Sequence, residues 1–228
     1  MLKKFDSIWV ETSRMKSDLE SLGFSNVIKV NNFKHLEILS TSQLMVNKTS
    51  PLKLVIFSRI MQEKGVEDAI LAINKINTLL GCIVFTLDLY GPIDESFKVP
   101  FDKLCHDNEH FVKYCGIVSP NDSVKYLKHY FALLFPTRFY TEGIPGTIID
   151  SYASGVPVVA SQWQHANDVI AHNSTGIIYE FASYQALRDA LLFCANNPDV
   201  INSWKINCLN KSKEYLPEHF LKTVIINN

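Results

Sequence analysis

Short apolar runs alternating with longer amphipathic segments limit what this chain can fold into. SIWV (7–10), VIKV (27–30), LKLVIFS (52–58), CIVFTLDLYG (82–91), HFVKYCG (110–116), FALLF (131–135), VPVVAS (156–161) and TGIIYE (175–180) read as strands. Several are continuous Val, Ile, Leu and Phe, the pattern of parallel strands covered on both faces. Between them, residues 65–80 place Val66, Ala69, Ile70, Ile73, Ile76 and Leu80 on one helical face. Glu67 and Asp68 fall in the first turn of that helix, where its dipole favours acids. Ser119 followed by Pro120 reads as an N-cap with proline at the first helical position. Ser183 reads as the cap of a helix carrying Leu187, Ala190, Leu191 and Cys194. Such alternation predicts an α/β fold with a Rossmann-like, doubly wound parallel sheet.

The pattern is interrupted once. Residues 31–50 are polar with weak periodicity, and Pro51 opens a new strand. Residues 1–30 read as strand, helix and strand, with Gly23 ending the helix. Two strands and one helix bury no core of their own, so residues 1–48 are expected to be a remnant of another domain plus a linker. Residues 49–228 form the main domain and end in helices.

Twenty-two basic and 23 acidic residues leave a net charge of −1 without a basic run, which argues against nucleic acid as a partner. The five cysteines, Cys82, Cys105, Cys115, Cys194 and Cys208, form no Cys-x-x-Cys and read as free thiols in a reducing cytoplasm. The run YFALLF (130–135) is too short to span a bilayer, and the N-terminus has no signal-peptide stretch. A cytoplasmic protein with no transmembrane segment is expected, peripheral membrane contact remaining open.

Three loops carry candidate chemistry. In doubly wound sheets ligands bind beyond the carboxyl ends of the strands. FSRIMQEKG (57–65) therefore sets Arg59 and Lys64 where an anion would lie. TEGIPGTIID (141–150) has Gly143 and Gly146 in a turn before a helix, with Glu142 in the loop and Asp150 one turn into the helix. From there Asp150 can reach back over the pocket that Glu142 enters, where two carboxylates would grip vicinal hydroxyls as on ribose or a hexose; two acids eight positions apart are otherwise read as surface residues. After VPVVAS, Ser161 and Gln162 are candidate polar contacts, while Trp163 and His165 read as packing residues. Gly-x-Gly-x-x-Gly, the P-loop and the nucleophile elbow are absent, which counts against nicotinamide, P-loop and hydrolase sites.

In this order FSRIMQEKG, YCGIVSPND, TEGIPGTIIDSYASGVPVVAS and TGIIYE resemble the donor-binding C-terminal domain of retaining GT-B glycosyltransferases of the group 1 type. The resemblance covers residues 52 to about 195. Residues 1–30 resemble the last strand, helix and strand of that family's N-terminal acceptor domain. The resemblance implies a nucleotide-diphosphate sugar donor, transfer with retained anomeric configuration, and no bound metal or other cofactor. It implies Arg59 and Lys64 on the diphosphate and Glu142 as the catalytic residue at the donor sugar. It implies Gly143, Ile144, Pro145, Gly146 and Thr147 along the sugar pocket, and Asp150 on the ribose. Asp150 stands where most members have Glu, a carboxylate shorter by roughly 1.5 Å, and is read as a variant. The acceptor would be a saccharide or a lipid-linked saccharide, in polysaccharide biosynthesis. Most of the acceptor domain is not in this sequence. The chain alone is therefore expected to transfer little sugar. The alternatives are a non-catalytic nucleotide-sugar-binding subunit, the donor half of a split enzyme working with an N-terminal-domain partner chain, and an unrelated Rossmann-type enzyme.

Overall fold

A computed structural model describes residues 5–227. Its first unit is β1 (Ile8–Val10), α1 (Ser13–Ser21) and β2 (Val27–Lys29), the strands pairing in parallel. The second unit runs β3 (Leu52–Phe57), α2 (Val66–Leu80), β4 (Phe85–Tyr90), α3 (Lys98–Asp107), β5 (Val112–Tyr114), α4 (Ser123–Leu127) and β6 (Ala132–Phe135). It continues with α5 (Gly146–Ala153), β7 (Val158–Ser161), α6 (Ala166–Val169), β8 (Gly176–Tyr179), α7 (Tyr184–Asn196), α8 (Pro198–Ser203), α9 (Lys205–Ser212) and α10 (Pro217–Asn227). Each apolar run contains a strand. Among the described residues no helix is long and apolar enough to cross a membrane.

The large sheet is parallel throughout, in the order β5-β4-β3-β6-β7-β8. The strands thus step outward one way from β3 and then the other way from β6. The period-two alternation of a strand explains how apolar runs serve two cores. Leu52, Leu54 and Ile56 of β3 join Ile70 and Ile73 of α2 and Leu187 and Leu191 of α7 on one face. Val55, with Leu133 and Phe135 of β6, faces Ile148 and Tyr152 of α5 on the other.

A buried polar residue ties α2 to its next strand. Asn77 accepts from the backbone N–H of Val84 (2.9 Å) and of Phe85 (3.1 Å), and donates to the Phe85 carbonyl (3.0 Å). Asn77→Ala would leave these groups unpaired away from water. We expect a loss of about 2–4 kcal/mol by urea unfolding; a loss below about 1 kcal/mol would show that water replaces the side chain.

Ser119 stands at the N-cap position with Pro120 directly after it, as expected, but it opens a 3-10 turn, Pro120–Asp122, and makes no side-chain cap; α4 starts at Ser123 with Asp122 at its N-cap position. The proline satisfies the tight turn as readily as a helix start. The segment 31–50 lies against the second unit. The Leu39 N–H donates to the Ala153 carbonyl, Leu39 is buried, and Leu36 and Leu44 pack beside it. Leucines seated singly along an extended chain leave no period to read. Gly23 and Ser183 do act as expected: Gly23 has φ +84°, and Ser183 accepts from the Ala186 N–H.

The first unit contributes no buried residue from α1 and leans on the second through Asp168 of α6. That carboxylate accepts from Lys29 Nζ (2.6 Å) and from the Ser13 hydroxyl (2.5 Å) and N–H (3.2 Å) at the start of α1. Burial alone would raise the Asp168 pKa, but the bonds from Lys29 and Ser13 outweigh it and hold the carboxyl below its usual range. Trp9 and Phe33 meet Phe220 of α10, with ring centroids 5.6 and 4.6 Å apart.

Candidate active site

The order of the large sheet reverses between β3 and β6, the position where doubly wound sheets open a crevice at the strands' carboxyl ends. A cavity of about 460 Å³ lies there, lined by Phe57, Ser58, Arg59, Met61, Lys64, Phe135, Phe139, Glu142, Pro145, Gly146 and Thr147.

Two close backbone approaches shape its β3 side. Gly91, after β4, has φ +138° and lies so near the Ser58 carbonyl that a Cβ would overlap it. Residues Gln62–Lys64 make a 3-10 turn that Gly65 ends in the left-handed region, φ 70° and ψ 23°, before α2 begins. Arg59 is exposed at the rim. Lys64 turns inward: its ammonium lies 2.6 Å from Glu142 Oε2, and 5.7 and 5.4 Å from the ring centres of Phe135 and Phe139.

The β6 side is a braced loop. Thr137, which is buried, accepts from the Phe139 N–H (3.1 Å) and donates to Glu142 Oε2 (3.4 Å). Its carbonyl accepts from the Ser161 hydroxyl (2.6 Å), so Ser161 supports the loop from β7 and does not face the cavity. Trp163 Nε1 donates to the Gly143 carbonyl (3.2 Å). Arg138 clasps the loop to α2: its N–H donates to the Glu63 carbonyl, and its guanidinium grips both oxygens of Asp68 at 2.9 and 2.6 Å.

The first turn of α5 faces the same cavity through Gly146 and Thr147, and Pro145 at its N-cap position offers no side-chain acceptor. The Ile148 N–H donates to the Pro145 carbonyl (3.1 Å), which leaves the N–H groups of Gly146 and Thr147 at the start of α5 available to an anion. The Thr147 hydroxyl is buried and has no hydrogen-bond partner among the described residues.

The structure thus gathers Arg59, Lys64, Glu142, Pro145, Gly146 and Thr147 around one cavity. Gly143 lines a smaller cavity of about 230 Å³ that shares Lys64, Phe139 and Glu142 with the larger one. Ile144 packs against the core instead. Asp150 does not reach the cavity that Glu142 enters. It is buried in α5 and ion-paired with Lys34 of the 31–50 segment at 2.6 Å, in a separate cleft of about 90 Å³ beside Pro120 and Lys125. The reason is its place in the helix: four residues past Gly146, it points at the strap lying over α5, where a lysine meets it.

Thr137 and Arg138 escape the sequence reading. Their partners Asp68 and Ser161 lie on other elements, and nothing in the TRFY string marks them; the adjacency of 137–138 to a strand end is the only available signal.

Comparison with known proteins agrees with this architecture. Residues 51–197 match the model of a family described as glycosyl transferases group 1. The amylovoran biosynthesis glycosyltransferase AmsK of Erwinia amylovora is 29% identical over 146 residues, which are 62% of this chain and 35% of that protein. The chain therefore spans about a third of the length of this curated relative. TarM of S. aureus, solved in complex with fondaparinux, alpha-GlcNAc-glycerol and UDP, superposes with a TM-score of 0.78 at 19% identity, over 98% of this chain and 44% of TarM. Anabaena HepE in complex with UDP gives 0.76 at 17% identity, over 97% of this chain and 61% of its own. These structures share the GT-B fold of glycosyltransferases with this chain. With the family model covering well over half of its residues, the chain belongs to the glycosyl transferases group 1 family.

Proposed function

We propose that this chain is the donor-binding half of a cytoplasmic retaining glycosyltransferase that takes a nucleotide-diphosphate sugar. One observation carries the reading: Arg59, Lys64, Glu142 and the uncapped start of α5 line a single cavity at the strand-order reversal. Arg59 and Lys64 hold the diphosphate, and the N–H groups of Gly146 and Thr147 add neutral donors. Glu142 accepts from sugar hydroxyls and stabilises positive charge developing at the anomeric carbon. The leaving diphosphate is stabilised by these fixed cations and dipoles, so the reading needs no bound metal. The TarM and HepE structures, both described with UDP, support a nucleotide at this fold's cleft. The acceptor, a saccharide or lipid-linked saccharide, meets the donor through an acceptor domain, in the same polypeptide or in a partner chain. Asp150 contacts ribose only if Lys34 moves aside.

Calorimetry with UDP, GDP and ADP tests the reading. One of them is expected to bind the chain, and Arg59→Ala combined with Lys64→Ala is expected to weaken it by about 100-fold, as for two charge-assisted contacts. Binding of none, or binding untouched by the double substitution, would refute the donor site.

A further inference from the structure

We infer that the ion pair between Lys64 and Glu142 discriminates the intact nucleotide sugar from the spent nucleoside diphosphate, an inference that rests on the donor-site reading above. The pair stands between two cavities. The larger, about 460 Å³, adds Arg59 and the start of α5; the smaller, about 230 Å³, adds Thr141 and Gly143. Lys64 and Glu142 line both, so an occupant of either cavity meets both partners of the pair.

The two side chains are 17% and 20% exposed, and their nitrogen and oxygen are 2.6 Å apart. A pair so far withdrawn from water is costly to break, because the abandoned partner keeps an uncompensated charge. The ammonium has somewhere to go: Arg59 shares its cavity, and the Phe135 and Phe139 rings offer it a face along the way. The carboxylate does not. Its other described partner is the Thr137 hydroxyl at 3.4 Å, too long to replace a cation.

A diphosphate alone that draws Lys64 toward Arg59 thus strands Glu142. A diphosphate carrying a sugar also delivers hydroxyl donors to the smaller cavity, and these satisfy the carboxylate that Lys64 leaves. Glu142 opposes binding of the product by the same charge that favours binding of the donor. Glu142 is then a specificity determinant whose removal strengthens binding of the nucleoside diphosphate but not of its sugar conjugate.

The test is a double-mutant cycle read by titration with nucleoside diphosphates. Glu142→Gln is expected to tighten the nucleoside diphosphate that wild type binds by about five- to tenfold, and to leave its sugar conjugates no tighter. In a Lys64→Ala background the same Glu142→Gln change is expected to alter diphosphate affinity by less than about twofold. Diphosphate binding that is unchanged or weaker in Glu142→Gln overturns the inference alone. So does a gain that persists without Lys64, which would mark long-range repulsion and not exchange of a partner. Failure of wild type to bind any of UDP, GDP and ADP overturns the donor-site reading and the inference with it.

Discussion

Gly65→Ala is expected to destabilise the protein by about 4 kcal/mol or more. Two terms add. Gly65 lies at φ 70°, ψ 23°, where an L side chain crowds its own backbone at a cost of about 1–2 kcal/mol. The new Cβ would also overlap the Pro136 carbonyl oxygen, a backbone atom at the end of β6 with no freedom to swing away. Either the loop after β3 or the loop after β6 must shift, and each carries a wall of the cavity. Gly81→Ala supplies the control. Gly81 has nearly the same backbone, φ 66°, but no atom lies within 4 Å of its added Cβ. It should cost only the conformational term, about 1 kcal/mol. Urea midpoints of the two variants measure the difference directly; equal losses would show that the approach to Pro136 relaxes freely. Gly65→Ala should also lose nucleotide binding under conditions where it remains folded, because Lys64 precedes it.

Lys205→Met is expected to act in the opposite direction, raising stability at pH 7 by about 2–3 kcal/mol. Lys205 of α9 is 2% exposed, and its ammonium has one long hydrogen bond, 3.4 Å to the Tyr130 carbonyl. Burial is the main influence on it and pushes its pKa down from 10.5 to about 8, with the neighbouring Cys208 thiol pulling weakly the other way. At neutral pH it is charged in both states, so the folded protein carries the penalty of a desolvated cation. Between about 8 and 10.5 the unfolded chain still binds the proton that the folded one has released, so stability rises with pH through that window. Below about 8 the penalty is complete. Methionine fills the same stem volume without the charge. The gain over wild type should therefore be largest at pH 7 and shrink as pH climbs to 10.5. Thermal unfolding across that range tests both the sign and the window; a variant less stable than wild type at pH 7 would show that the ammonium is better solvated than its burial indicates.

The sheet was readable because burial on both faces forces apolar runs, and runs such as LKLVIF and ALLF have few other uses. Strand order is different information. Nothing in the run at 52–57 states that its neighbour is 132–135, since every buried strand presents the same apolar surface. The site divides along the same line. That Arg59, Lys64 and Glu142 lie at strand ends of one cavity could be read because charges there stand out against apolar flanks. Asp150 was placed on the correct helix, but its partner Lys34 lies 116 positions away in a segment without periodicity. A reading along the chain could give the helix turn that carries the carboxylate, but not what that carboxylate would meet. Thr137 and Arg138 failed to register for a related reason: bracing residues take their meaning from what they hold, and Asp68 is 70 positions from Arg138.

The clasp between Arg138 and Asp68 has a consequence for how fast a ligand can arrive. It fastens the loop after β6 to the first turn of α2, while Ser161 and Trp163 fasten the same loop to β7. The walls of the cavity are thereby ordered when the domain folds, and the entropy of arranging them is not charged again to each binding event. Encounter then requires one lysine side chain to leave its ion pair, where an unbraced loop would have to search for its closed form as well.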